Sequence, residues 1–303
     1  MSRIRKICSS AALFSLLAIV PSFALIGIGA HYGLDFTVSM KNTTGLGEHV
    51  TFDSLKLDLG QGSPLIGAEI PAYVSRTDFK SDFSFGGKIY IDVIPVIDAL
   101  EVSGNFGLWD YGGKINYPSS VKNPLVNSGN LADTANFNYT SEKLTLDNLG
   151  LGYMGLKNTP YAKFNVDLTV RKYIVQFPPV IKTVKLYGGA GATVNFATPM
   201  LSGHLVQDVI NESAQGTKTV PALGTDLLGN TDIMKGVVNK IISGLTQPSY
   251  GMHLDLGVMV KIPVIPIGIY VDGKFMIPFG QLDKYVPIGG TGLLLNGGIA
   301  LTF

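Results

Sequence analysis

The chain closes on GTGLLLNGGIALTF, Gly290 to Phe303. Side chains alternate between two faces along an extended strand. Phe303, Leu301, Ile299, Leu295 and Leu293 fall on one face, interrupted only by Gly297, and Thr302, Ala300, Gly298 and Asn296 fall on the other. One face is apolar and the opposite one is small or polar. That division predicts a β-strand with an oily outside and a polar or close-packed inside.

The same period-two pattern recurs upstream. From Leu25 to Met40, Ile26, Ile28, Ala30, Tyr32, Leu34, Phe36 and Val38 oppose His31, Asp35 and Thr37. Further strands are predicted at Thr51 to Leu59 and at Ile66 to Ser75. Phe83, Phe85, Ile89, Ile91 and Val93 then oppose Ser84, Lys88, Tyr90 and Asp92, and Val102, Phe106 and Leu108 oppose Glu101, Ser103, Asn105 and Trp109. Phe164, Val166, Leu168 and Val170 oppose Lys163, Asn165, Asp167 and Arg171, while Val184, Leu186, Val194 and Phe196 oppose Lys185, Tyr187, Thr193 and Asn195. Leu254, Leu256, Val258 and Val260 oppose His253, Asp255 and Lys261, and Ile267, Ile269, Val271 and Phe275 oppose Tyr270, Asp272 and Lys274. Three apolar, proline-bearing corners separate these pairs: Val93 to Ile97, Phe177 to Ile181 and Ile262 to Pro266. Proline has no N–H to donate to a ladder, so each marks a hairpin corner, and their similarity places all three on one side.

Composition agrees. Hydrophobic residues make up 46% of the chain, charged residues 15%, and mean hydropathy is +0.30, yet beyond the N-terminal stretch no run reaches the roughly 20 apolar residues of a spanning helix. In lipid the remaining way to satisfy every backbone N–H and C=O is a closed sheet. Arg3, Arg5 and Lys6, followed by the apolar run Ala11 to Val20 and small residues up to Ala24, read as a signal peptide spanning 1–24. Its removal takes Cys8, the single cysteine, and leaves 20 Lys and Arg against 22 Asp and Glu. A chain without cysteines forms no disulfide, and a formal charge of −2 argues against a nucleic-acid partner.

These features resemble bacterial outer-membrane β-barrels as a class: a leader, alternating strands and a last strand ending in phenylalanine. The resemblance implies that Phe303, Leu301 and Ile299 form a signal read by the barrel-assembly machinery, and that the location is the outer membrane of a Gram-negative cell. The fold expected is all-β, an antiparallel transmembrane β-barrel of about ten to twelve strands over residues 25–303. The larger count rests on pairing Tyr111 to Tyr117 with the alternating stretch Leu144 to Leu156.

Two segments interrupt the strands. Residues 111–143, rich in Asn, Ser and Pro, read as a long loop; residues 200–247 carry Leu205, Val209, Ile210, Leu227, Leu228, Ile233, Val237, Val238, Ile241 and Ile242 at helical spacing and read as a helical insertion that covers the mouth, enters the lumen or packs on the rim. The candidate lumen lining is His31, Asp35, Lys88, Asp92, Glu101, Lys163, Asp167, Arg171, Lys185, His253, Asp255, Lys261, Asp272 and Lys274. Its signs are mixed, whereas a ring of one sign would point to ion selectivity. Phosphate loops, metal-spaced His/Cys clusters and nucleophile elbows are absent from the sequence, so no cofactor and no catalytic residues are expected. His31 near Asp35 and His253 near Asp255 are the basis for a remote hydrolase alternative. The leading expectation is porin-like transport, a passive or gated uptake of small apolar or amphipathic molecules. Against it stands a structural or surface-display barrel with a salt-bridged, closed lumen. Expected partners are outer-membrane lipid, the assembly machinery and a small apolar ligand.

Overall fold

The computed structural model describes residues 25–50, 72–92, 97–123, 133–146, 157–178, 183–214, 231–262 and 265–303. The signal peptide at 1–24, the strand expected at Thr51 to Leu59, the start of the one expected at Ile66 and the stretch Leu149 to Tyr153 lie outside these residues. In chain order the elements are β1 (Leu25–Asp35), β2 (Glu48–Val50), β3 (Ala72–Asp92), β4 (Ala99–Val121), β5 (Phe137–Leu144), β6 (Thr159–Phe177) and β7 (Val184–Ala197), then α1 (Gly203–Ala214), α2 (Thr231–Ser243), β8 (Ser249–Lys261), β9 (Ile267–Pro278) and β10 (Gly292–Thr302).

Eight strands close a ring in the order β1, β3, β4, β6, β7, β8, β9, β10 and back to β1, every neighbour antiparallel. The seam joins first strand to last, with Gly27 opposite Thr302 and Asp35 opposite Leu294. Hydrogen bonds from Phe303 N to Ile26 O (2.8 Å) and from Ile26 N to Phe303 O (3.2 Å) extend it to the last residue. Closure leaves no unpaired edge in the ring.

The strand count of about ten to twelve is corrected here. The sheet contains ten strands among the described residues, of which eight form the barrel; β2 pairs only with the loop end of β3, and β5 only with the loop end of β4. The reason is length. A tilted membrane crossing takes about 9–11 residues, which β1 and β10 match at 11 each, but β3 and β4 run for 21 and 23. Tyr111 to Tyr117, read as a separate strand, continues β4 above the membrane. The loop expected at 111–143 is therefore corrected as well: β4 continues to Val121 and β5 occupies Phe137 to Leu144.

Both ends of the described chain and the strand ends that flank the three proline corners lie at one end of the ring, where Leu25 faces Asp92, Phe177 faces Val184 and Lys261 faces Gly268. Long connections occupy the other end. Outward positions in the ring are apolar and exposed, among them Ile28, Leu34, Val102, Leu168, Leu254 and Ile299, and together they form a lipid-facing belt. Short corners on one side and long loops on the other are the plan of an outer-membrane barrel, with the corners periplasmic and the loops extracellular. The chain is an outer-membrane β-barrel.

Two positions expected to face lipid are buried. Val38 lies beyond the end of β1 and packs into the extracellular cluster. Leu108 keeps the outward register, but Ile241 and Ile242 of α2 lie over it and over Pro160 and Ala162. Above Leu108 the exposed-buried alternation of β4 stops, because both faces there are covered by protein.

Candidate functional site

Eight strands give an interior just wide enough for side chains to fill, and this one is filled by charge. At the periplasmic end Lys185 pairs with Asp92 at 2.8 Å, and the Tyr173 hydroxyl donates to the same carboxylate at 2.6 Å. The middle holds a continuous network. Lys88 of β3 reaches across to Asp272 of β9 at 2.7 Å, and Arg171 of β6 binds Asp255 of β8 at 2.9 Å and Glu101 of β4 at 2.5 Å. Lys274 of β9 crosses to Asp167 of β6 at 3.0 Å and to Glu101 at 3.5 Å. Toward the loops Lys163 pairs with Asp35 at 3.0 Å. Of these ion pairs only Arg171 with Glu101 joins neighbouring strands, so the pairs span the lumen instead of running along its wall.

The histidines belong to this lattice. The Asn105 side-chain oxygen accepts from His31 Nε2 at 2.6 Å, and Nδ1 is hydrogen-bonded to the Tyr270 hydroxyl at 2.8 Å. For His253, the Thr193 hydroxyl donates its proton to Asp167 at 2.9 Å and so accepts from Nδ1, while Nε2 takes the Thr169 hydroxyl at 2.8 Å. Each ring is thus hydrogen-bonded through both of its nitrogens to side chains of other strands. His31 and Asp35, like His253 and Asp255, share the interior face as the alternation places them, but no hydrogen bond joins either pair among the described residues, because other strands bring closer partners.

Of the candidate lumen residues, His31, Asp35, Lys88, Glu101, Lys163, Asp167, Arg171, Lys185, His253, Asp255, Asp272 and Lys274 are buried in the interior. Asp92 and Lys261 are half-buried at the periplasmic mouth, and Lys261 is in no ion pair among the described residues. Of the assembly-signal residues, Phe303, Leu301 and Ile299 face outward and are exposed. Parity placed Tyr187 and Tyr270 inside together with the charges, but not their stacking on the cations. The Lys88 ammonium stands 3.3 Å from the Tyr270 ring centroid and the Arg171 guanidinium 4.1 Å from that of Tyr187, contacts that strengthen when water is excluded. Glycine makes the space: a Cβ at Gly257 would lie 2.5 Å from Tyr187 Cζ.

Above the charges lies an apolar lid. Phe79 is turned into it by a bulge in β3, where Asp78 takes a positive φ of 58°, and its ring centroid lies within 6.4 Å of those of Trp109, Tyr111 and Tyr161. Residues 198–202, leaving β7, form a strap over the opening. Leu201 N donates to the Tyr111 hydroxyl at 2.8 Å, Arg76 Nη1 donates to Leu201 O at 2.6 Å, and Met200 N donates to Asp283 Oδ2 at 2.9 Å. Asp283 Oδ1 also accepts from Tyr285 N (2.7 Å) and Val286 N (2.9 Å), so one carboxylate ties the β9–β10 loop to the strap. An aspartate bonding to backbone two and three residues ahead is a local signal that the sequence carries; its third partner is not. Beside the strap, Leu205, Val206 and Val209 of α1 are buried in one cluster with Val237, Val238 and Ile241 of α2. In the extracellular sheet Tyr139 stacks edge-on to Tyr73 at 5.7 Å, and burial pushes its phenol above the ordinary range.

No family model matches the chain, and no curated protein matches it. Among solved structures it is similar to a Neisserial surface protein A, at 11% identity over 92% of this chain and 96% of that one, with a TM-score of 0.31.

Proposed function

We propose that this barrel is a sealed membrane anchor that displays a structured extracellular head, and not a conduit. The observation that carries the reading is the interior: Glu101, fully buried, meets Lys88, Arg171 and Lys274, and a strap pinned at Tyr111, Arg76 and Asp283 lies above it. A solute would have to break several desolvated ion pairs at once, each costing about 3–5 kcal/mol when one partner is lost. Catalysis finds no support in the same geometry. Lys274 donates to Ser103, but as an ammonium bound to Asp167 and Glu101 it has no lone pair with which to take the serine proton.

Gated uptake of a small apolar or amphipathic molecule is the second reading, favoured by the strap and helices standing over one mouth. Planar-bilayer recording of the purified barrel separates the two. No conductance steps are expected from the intact protein, nor from a variant lacking residues 200–247. Steady conductance of the intact protein would overturn the sealed reading, and conductance that rises on deletion would make the insertion a plug.

A further inference from the structure

A groove of about 670 Å³ opens at the extracellular end of β8 and β9, in the size range of small-molecule sites. Its lining includes Pro199, Pro248, Tyr250, Phe279, Leu282 and Tyr285. Tyr250 is 60% exposed and stands in the lipid-facing register of β8, two residues from Met252; Phe279, at the end of β9, is 68% exposed and donates its N–H to Tyr250 O at 2.8 Å. The groove is therefore continuous with the lipid belt and separate from the lumen. It sits at the level where barrel aromatics meet headgroups.

The frame is preformed. Asp283 ties the β9–β10 loop to the strap through three backbone N–H groups, and Tyr285 stacks on His204 of α1 at 4.3 Å. Charge at the groove is one-sided. Lys284 is exposed, stands 5.0 Å from the Tyr285 ring centroid and has no ion-pair partner among the described residues. The one carboxylate in the lining, Asp283, has both oxygens occupied by the backbone. We propose that the groove holds a phosphate-bearing lipid of the outer leaflet, one acyl chain along Tyr250, Phe279 and Leu282 and its phosphate at Lys284. A chain can enter sideways from the bilayer without leaving lipid, and the phosphate meets a lysine in a rim of tyrosines that suit the water boundary.

Gly280 lines the groove, and a Cβ there meets nothing within 4 Å, so Gly280→Cys in a chain that starts at Leu25, and so lacks Cys8, carries an environment-sensitive fluorophore on its single thiol. In dodecyl maltoside micelles, titration with dodecyl phosphate is expected to give a saturable spectral shift. Lys284→Gln, an exposed change that does not threaten folding, should weaken it about tenfold, as loss of one charge-assisted contact does. Asp283→Asn should weaken it by loosening the frame, and Lys172→Gln at the periplasmic end should change nothing. A shift that never saturates, or one indifferent to Lys284→Gln, would mean general partition at the barrel surface and would overturn the site. The same shift produced by inorganic phosphate alone would overturn the lipid as its source. Conductance of the barrel would sink the sealed-lumen reading and leave this titration unaffected.

Discussion

Glu101 is the residue on which the interior turns, because Lys88, Arg171 and Lys274 all lie within 3.7 Å of its carboxylate. Glu101→Gln keeps the volume and removes the charge, leaving three buried cations with less compensation. A loss of about 3–5 kcal/mol is expected, read as a lower unfolding midpoint in urea or a lower temperature for the mobility shift on gels. Lys80→Gln, which breaks a pair whose lysine side chain is 62% exposed, should cost under about 1 kcal/mol. Equal effects would show that the lumen is hydrated and screened. Gly257→Ala drives a methyl into the Tyr187 ring and should cost about 1–3 kcal/mol by overpacking. Shortening the ring to Tyr187→Leu in the same chain should recover part of that loss; no recovery would place the strain elsewhere. Parity along the strands placed Glu101 inside, and Gly257 shares the parity of His253 and Asp255. Their partners were not legible, since Lys274 is 173 positions away in sequence and Tyr187 is 70.

At the scale of elements, the seam and α2 make separate demands. Phe303 contributes two backbone hydrogen bonds to β1, and its deletion shortens the contact that closes the ring. Deletion, or a charged residue in its place, should lower the amount of folded barrel in the membrane more than Leu254→Ala on the lipid face does; normal levels of the deletion would remove the assembly role assigned to this end. Helix α2 is different, because it covers a wall already complete. Ile241 is fully buried over Leu108, so Ile241→Asp sets an unpaired carboxylate in an apolar contact. Limited proteolysis should then cut within residues 198–248 faster while the folded gel mobility persists. Unchanged cleavage would show that the helix is held by other contacts. The helical spacing of Val237, Val238 and Ile241 announced an apolar stripe, but the outer surface it covers exists only once β4 and β6 lie side by side.

For the whole molecule, the reading is a belt of apolar side chains around a charged, filled interior with a folded head on the extracellular side. Purified in detergent it should show a far-UV spectrum dominated by sheet and a migration that shifts on heating, as a closed ring that resists unfolding requires. A soluble, helix-dominated product would refute the architecture outright. The long β3–β4 pair, which continues past the bilayer and gains β2 and β5 at its flanks, makes the head part of the same sheet as the barrel. Head and anchor are therefore expected to unfold together. Two separate thermal transitions would argue against that continuity.

Within the membrane-spanning part of the strands, alternation determined which residues point outward and which inward, because a strand has a period of two; that protein and not lipid covers Val38 and Leu108 was beyond it. It determined the corner side as well, since proline cannot donate in a ladder. The number of strands was a tertiary matter. A strand of 23 residues and two strands of half that length write the same local pattern, and only the pairing of Tyr111 to Val121 with β5 showed that β4 continues beyond the bilayer. The state of the lumen was decided in the same way. Local pattern supplied acids and bases inside, but whether they line water or neutralise one another depends on the diameter of the ring, and closure at eight strands brings Lys88 to within 2.7 Å of Asp272 from the far wall.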